Sequence, residues 1–268
     1  MDLGNTTVIN ASVSTAAQDG VGWIILNRPE QINAINDEIR TGVPKALHAF
    51  DQDDSIGAIV IRGEGPRGFC AGADIKEKRG AETTIEVRAR MERTRWIETI
   101  DTIQKPVLAA IHGYCMGGGM ELALACDIRF AAPDIVLSLP ETGLGLIPGG
   151  GGTQRLPRIV GLAKALDMML TGERIKAEEA LNIGLITRLS ATNDSLIEEV
   201  GQLATSIAKR PPIATRYLRR AVRNAMEQEL TKGLDLELDL FSQLKTSEDA
   251  AEAAIAFKEK RKPNFSGR

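Results

Sequence analysis

The chain predicts an α/β fold, a core of strands and helices followed by a helical C-terminal region. Two observations carry this. Short apolar runs ended by turn residues alternate with helical periods over the first part of the chain. After about residue 160 helical segments dominate. An alternation of this kind suits an α/β core, and the helical tail suits packing or assembly.

The elements follow in order. Residues 21–27 (VGWIILN), 56–63 (IGAIVIRG) and 106–113 (PVLAAIHG) read as buried strands, and 127–132 and 135–139 as two shorter ones split by Pro133. Residues 36–50 read as a helix capped by Asn36, with Pro44 as a kink, and 83–103 as a helix charged on one side. A helix is expected to start near Gly118, and another spans 154–159. Later helices are expected at 162–170, 177–182, 194–208, 213–229, 232–244 and 248–258, with Pro211-Pro212 at a helix start. The organisation expected is a core over residues 1–200 and a helical region over 201–268.

Composition narrows the function classes. The 268 residues are 43% hydrophobic and 26% charged, with a net charge of −3, so no general attraction to nucleic acid or anionic membrane is expected. No apolar run reaches the length of a transmembrane helix, about 18 residues. The first 20 residues hold no Lys or Arg and no signal-like apolar core, so a cytoplasmic location is expected. Cys70, Cys115 and Cys126 sit in apolar or Gly-rich contexts and read as reduced structural thiols.

Two carboxylates stand out. Glu121 ends GGGME, and Glu141 lies in SLPETG, shortly before the run Gly149 to Gly152. The stretch between them is nearly all apolar. Carboxylates in buried segments are costly unless something satisfies or uses them, so the pair points to acid/base chemistry on a bound substrate. The turn Ala71-Gly72-Ala73-Asp74 and the helix start at Gly118 offer backbone N–H groups that can polarise a ligand oxygen.

Other readings fail. Gly113–Gly117 fits G-x-C-x-G, but both histidines, His48 and His112, precede Cys115, so a hydrolase triad lacks its downstream His. Pro148 breaks a G-x-G-x-x-G pattern, and no Gly-Lys-Ser/Thr follows the glycine run. No metal-ligand spacing is present. His112 reads as a satisfied core histidine. Arg216, Arg219, Arg220 and Arg223 form one basic helix face, which reads as solvated or subunit-contacting, with RNA binding as the non-enzyme alternative.

The segments LNRPEQINAI, FCAGADIK, HGYCMGGGMELALACD, LPETGLGLIPGGGGTQRLPRIVG and AFKEKRKPNF, in this order and spacing, resemble the crotonase (enoyl-CoA hydratase/isomerase) superfamily over nearly the whole chain. The resemblance implies a spiral of ββα units with a C-terminal helical trimerisation region, assembled as a homotrimer or homohexamer. It implies an acyl-CoA thioester as substrate and no separate cofactor, coenzyme A being part of the substrate. Ala73 and Gly118 fall at the family's oxyanion-hole donors, and Glu121 and Glu141 at the two carboxylates of hydratases. Ile32, Ala34, Ala71, Asp74 and Ile75 match positions lining the CoA site. Phe257 and Lys260 match a segment that reaches a neighbouring subunit's CoA. Glu30 departs from a position often basic in relatives, so Arg28 or the KEKRK tail is expected to meet the phosphates. Both glutamates together favour hydration of a 2-enoyl-CoA. A specialised dehydratase of the carnitinyl type or an isomerase is the alternative. The variable segment 76–95 is expected to shape the acyl pocket.

Overall fold

The computed structural model describes residues 6–74, 76–77 and 80–268. The chain opens with three strands, β1 (Thr7–Asn10), β2 (Val13–Gln18) and β3 (Val21–Leu26). Next come α1 (Asp37–Gln52), β4 (Ala58–Gly63), α2 (Thr84–Arg93), α3 (Thr99–Thr102), β5 (Val107–Ile111), β6 (Tyr114–Met116) and α4 (Gly118–Ala125). Then follow β7 (Ile128–Ala131), β8 (Val136–Ser138), α5 (Gly152–Val160), α6 (Leu162–Thr171), β9 (Ile175–Lys176), α7 (Ala177–Asn182) and β10 (Arg188–Leu189). Four helices close the chain: α8 (Leu196–Ala208), α9 (Pro212–Asn224), α10 (Leu230–Lys245) and α11 (Glu248–Glu259).

Seven strands form one sheet in the order β1-β2-β3-β4-β5-β7-β10, and β6-β8-β9 form a second. From β3 to β10 every pairing in the large sheet is parallel. The apolar runs of β3, β4 and β5 do not alternate with polar residues because both faces are buried. Period two divides them. Ile24, Leu26, Ile59, Ile61, Val107 and Ala109 enter one core with Ile39, Val43 and Leu47 of α1. Trp23, Ile25, Val60, Leu108 and Ala110 enter the other, covered by Leu196, Val200 and Ala204 of α8. The division expected at residue 200 falls inside α8, which packs on the sheet.

Asn36 caps α1 as expected, its side chain accepting from the Ile39 N–H at 3.0 Å. The single helix expected over 83–103 is instead two. Residues of α2 are none of them buried, and a Thr83–Glu86 capping box starts it. Ile97, Ile100 and Ile103 then enter the core at a spacing of three, which one short turn satisfies. Strands β1 and β2, which continue into β3 as a meander, and the short β6, β9 and β10 were not expected. Between β2 and β3 the turn residues Asp19 and Gly20 have φ of +53° and +78°, both positive as a two-residue hairpin turn requires. No helix among the described residues is long and apolar enough to cross a membrane.

Candidate active site

The loops that follow β3, β4 and β5 meet at the carboxyl edge of the parallel strands, where open α/β sheets bind ligands. The loop after β3 is held by Asn33, fully buried. Its side chain accepts from the Arg28 N–H at 2.9 Å and donates to the carbonyls of Glu64 and Gly68 at 3.0 Å each, tying the first loop to the second.

The second loop runs along β6: Cys70 N–H donates to Tyr114 O at 3.1 Å and Met116 N–H to Cys70 O at 2.9 Å. On its other side Ala71 N–H donates to Ile32 O, Ile35 N–H to Gly72 O and Asp74 N–H to Ile35 O, all within 3.0 Å. This is a parallel bridge between Ile35 and Ala73. In such a bridge the N–H of Ala73 points away from Ile35. No described acceptor takes it. Gly118 opens α4, so its N–H is one of the helix's unpaired first donors, and it too has no described acceptor.

Close approach brings the two donors together. A Cβ on Gly119 would lie 2.4 Å from Cys70 O, so only glycine lets the start of α4 press against the second loop. The point where a Cβ of Gly118 would stand is 3.9 Å from both Ala73 N and Glu121 Oε2.

Glu121 is 4% exposed on α4. Its Oε1 accepts from the N–H groups of Gly150 at 2.7 Å and Gly152 at 2.9 Å, while Oε2 has no such partner. Burial raises its pKa above the usual carboxylate value, and the two N–H bonds and the Arg155 charge oppose that rise. Glu141 opens a 3-10 turn, Glu141–Leu144, after β8. The Gly117 N–H bond to Ser138 O, 2.9 Å, draws the end of β8 beside the start of α4. A Cβ on Gly117 would lie 3.1 Å from Glu141 Oε1. Glu141 Oε2 is buried without a hydrogen-bond partner. Burial raises the pKa of Glu141, and the negative charge of Glu121 raises it further.

The structure thus brings Ala73, Gly118, Glu121 and Glu141 into one cluster, with Ile32, Ala34, Ala71 and Asp74 on the adjoining loops. Ile75 lies outside the described residues. Phe257 (88% exposed, on α11) and Lys260 (at its C-cap) have no hydrogen bond to the cluster. The Arg28 guanidinium donates to Ala34 O at 2.5 Å and Asp74 Oδ2 at 2.8 Å. That contact holds the Asp74 carboxyl below the usual range. In the KEKRK tail Arg261 is paired with Glu252 and Glu259.

Sequence reasoning did not find the grip of Gly150 and Gly152 on Glu121, nor the structural part played by Asn33. The four-glycine run signalled a tight turn, but not its target on another helix. His112 is satisfied as expected, its Nε2 lying 2.7 Å from Gly65 O. Half of the basic face on α9 turns inward. Arg219 and Arg223 pair with Asp127 and Asp101. No group of three His, Cys, Asp or Glu among the described residues can hold a metal ion.

Sequence and structure comparisons identify the family and the fold. The sequence model described as enoyl-CoA hydratase/isomerase matches residues 16–268. The putative enoyl-CoA hydratase/isomerase YngF of Bacillus subtilis is 39% identical, with 94% of this chain and 97% of that protein covered. The mitochondrial enoyl-CoA hydratase of Pongo abelii is 41% identical over 91% of this chain and 83% of its own length. The crystal structure of an enoyl-CoA hydratase from Bacillus anthracis superposes with a TM-score of 0.90 at 37% identity, covering 96% of this chain and 100% of that one. The chain has the crotonase-type α/β fold and belongs to the enoyl-CoA hydratase/isomerase family.

Proposed function

We propose that the chain is an enoyl-CoA hydratase that adds water reversibly to a 2-trans-enoyl-CoA, giving the 3-hydroxyacyl-CoA. One observation carries this reading. A buried carboxylate, Glu121, and a half-buried one, Glu141, face one cluster, and each keeps an oxygen unclaimed by the protein: Glu121 Oε2 and Glu141 Oε2. Shifting a double bond within the substrate needs a single proton carrier. Adding water needs one group for the water and one for the α-proton.

The roles follow from the surroundings. The thioester oxygen accepts from the N–H groups of Ala73 and Gly118, which stabilise the enolate as charge develops; one such donor is typically worth about 2.7–4 kcal/mol. Glu121 has two N–H bonds and the Arg155 charge to favour its ionised form. Glu141 has only its own backbone against burial and the Glu121 charge. We assign Glu121 as the base that activates water and Glu141 as the carrier of the α-proton, the two titrating as a coupled pair. Glu121 Oε2 takes a proton from water as the water oxygen bonds to C3. Electrons of the C2–C3 double bond pass toward the thioester, and C2 takes the proton of Glu141. Water is consumed whole, and the proton gained by Glu121 returns to Glu141 to reset the pair. The reaction requires no cofactor beyond the coenzyme A that the substrate carries.

The CoA moiety is placed along Ile32, Ala34, Ala71, Asp74 and Ile75. Phe257 and Lys260 are placed against the CoA of a neighbouring subunit in a homotrimer or a pair of trimers. The core to residue 200 then carries the chemistry, and the helical region from 201 completes the assembly.

A panel of crotonyl-CoA, longer 2-enoyl, 3-enoyl and carnitinyl esters, with products identified, tests the reading. The expected product is 3-hydroxyacyl-CoA from 2-enoyl esters. Turnover of the 3-enoyl ester alone, without water addition, would make the chain an isomerase. Turnover of the carnitinyl ester alone would make it a specialised dehydratase.

A further inference from the structure

Arg155 lies in the first turn of α5, and its guanidinium reaches back over the loop before that helix. Nη1 donates to Gly150 O at 3.0 Å and Nη2 to Asp101 Oδ2 at 2.6 Å. Gly150 is the residue whose own N–H holds Glu121 Oε1 at 2.7 Å. One residue is therefore gripped on its carbonyl by Arg155 and grips the glutamate through its amide. Gly151, between the two clamped amides, has φ +102°, and a Cβ there would stand 2.0 Å from Arg155 Nη1. The guanidinium can lie on this turn only because residue 151 is glycine.

The clamp does not end at Asp101. The second carboxylate oxygen of Asp101 accepts from Arg223 Nη1 of α9 at 2.6 Å. Arg223 also donates to Ala125 O, at the end of α4, at 2.6 Å, and through Nε to Asp127 Oδ1 at 2.9 Å. Asp127 Oδ2 accepts from Arg219 Nε at 2.7 Å and from Val107 N–H of β5 at 2.8 Å. Arg219 continues to Ile100 O at 2.8 Å and to Ile103 O. Arg223 thus holds the C-terminal end of α4, where a cation suits the helix dipole. Arg155 holds the loop that grips Glu121 in the first turn of the same helix. Asp101 joins the two. The side chains are 19% (Arg155), 42% (Asp101) and 28% (Arg223) exposed, and each guanidinium also reaches a backbone carbonyl, unlike a loose surface pair.

We propose that Arg155, Asp101 and Arg223 are positioning residues for hydration, a relay that fixes the Gly150 N–H on Glu121 and makes α9 a working part of the active site. This rests on the reading of Glu121 as the base that activates water. Displacing a reacting group by about 1 Å can cost about 10²-fold in rate. Loss of the clamp is therefore read in kcat, with the CoA-ester contacts untouched.

The test is steady-state hydration of crotonyl-CoA by the parent protein and five variants: Arg155→Met, Arg155→Lys, Arg223→Gln, Glu121→Gln and the double variant Glu121→Gln/Arg155→Met. Arg155→Met lowers kcat by about 10–100-fold with KM changed by less than about 3-fold. Arg155→Lys, which keeps a charge but cannot span both acceptors, falls between it and the parent. Arg223→Gln, one link further away, lowers kcat by less than Arg155→Met but in the same direction. The double variant has the kcat of Glu121→Gln, because the relay acts only through Glu121. A parental kcat in both Arg155→Met and Arg223→Gln, with Glu121→Gln impaired, would overturn the relay and leave the reading of Glu121 standing. So would a double variant slowed relative to Glu121→Gln as much as Arg155→Met is relative to the parent. A parental rate in Glu121→Gln would instead remove the reading of Glu121 itself.

Discussion

Glu141 carries an energetic cost. Its Oε2 is buried with no hydrogen bond, and the nearby Glu121 charge adds repulsion. A carboxyl whose folded pKa lies above its unfolded value of 4.5 binds more protons folded than unfolded between those two values. Its contribution to stability is full below pH 4.5 and is lost as pH rises through the folded pKa. At neutral pH Glu141 thus works against folding, a cost of the proton-donor role proposed for it. Glu141→Gln, neutral at every pH, is expected to raise the melting temperature at pH 7.5 and to leave it unchanged near pH 4. Calorimetric or fluorescence melts of both proteins check this. A lower melting temperature for the variant at pH 7.5 would contradict the account. At this scale the two glutamates were legible in the sequence because charge in an apolar stretch is conspicuous. The Gly150 and Gly152 amides that hold Glu121 were not, because nothing local marks which side chain a glycine turn faces.

Among the elements, the three loops beyond β3, β4 and β5 set the geometry, and Asn33 is the pin between the first two. It sits at φ +54°, in the left-handed region that Asn tolerates better than most residues. It satisfies Arg28 N–H, Glu64 O and Gly68 O at once. Asn33→Ala removes all three bonds and keeps the unfavourable φ. Each buried group left unpaired costs about 1–3 kcal/mol, so a loss of about 3 kcal/mol or more is expected in chemical denaturation. Because Ile32 and Ala34 flank it, KM for the CoA ester is expected to rise as well. Strands β3, β4 and β5 were legible because burial on both faces makes them continuous apolar runs. The β1–β2 pair was not: Ser14, Thr15 and Gln18 of β2 interrupt the apolar signal. The 83–103 segment reads as one helix by period. It forms two because its buried residues begin only at Ile97.

Across the whole molecule, α9 and α10 leave Leu218, Val222, Leu230, Leu234, Leu238 and Phe241 more than half exposed. Apolar faces of this extent suit subunit contacts. In sedimentation the protein is expected at three or six times its 28.9 kDa chain mass. Leu234→Asp combined with Leu238→Asp is expected to lower that mass, and an unchanged mass would place the contacts elsewhere. The basic face of α9 shows how far the sequence reaches at this scale. The helix and its arginines were legible. Their partners, Asp101 and Asp127, lie about a hundred positions away, and only the packed chain shows that Arg219 and Arg223 turn inward.

The central claim is that two carboxylates divide the work, Glu121 for water and Glu141 for the α-proton. The most direct measurement is kcat for crotonyl-CoA hydration by Glu121→Gln and Glu141→Gln, with CoA-ester binding measured alongside. Both are predicted to lose about 10²–10⁴-fold in kcat while binding the ester nearly as the parent does. Hydration by either variant at the parental rate would contradict the account.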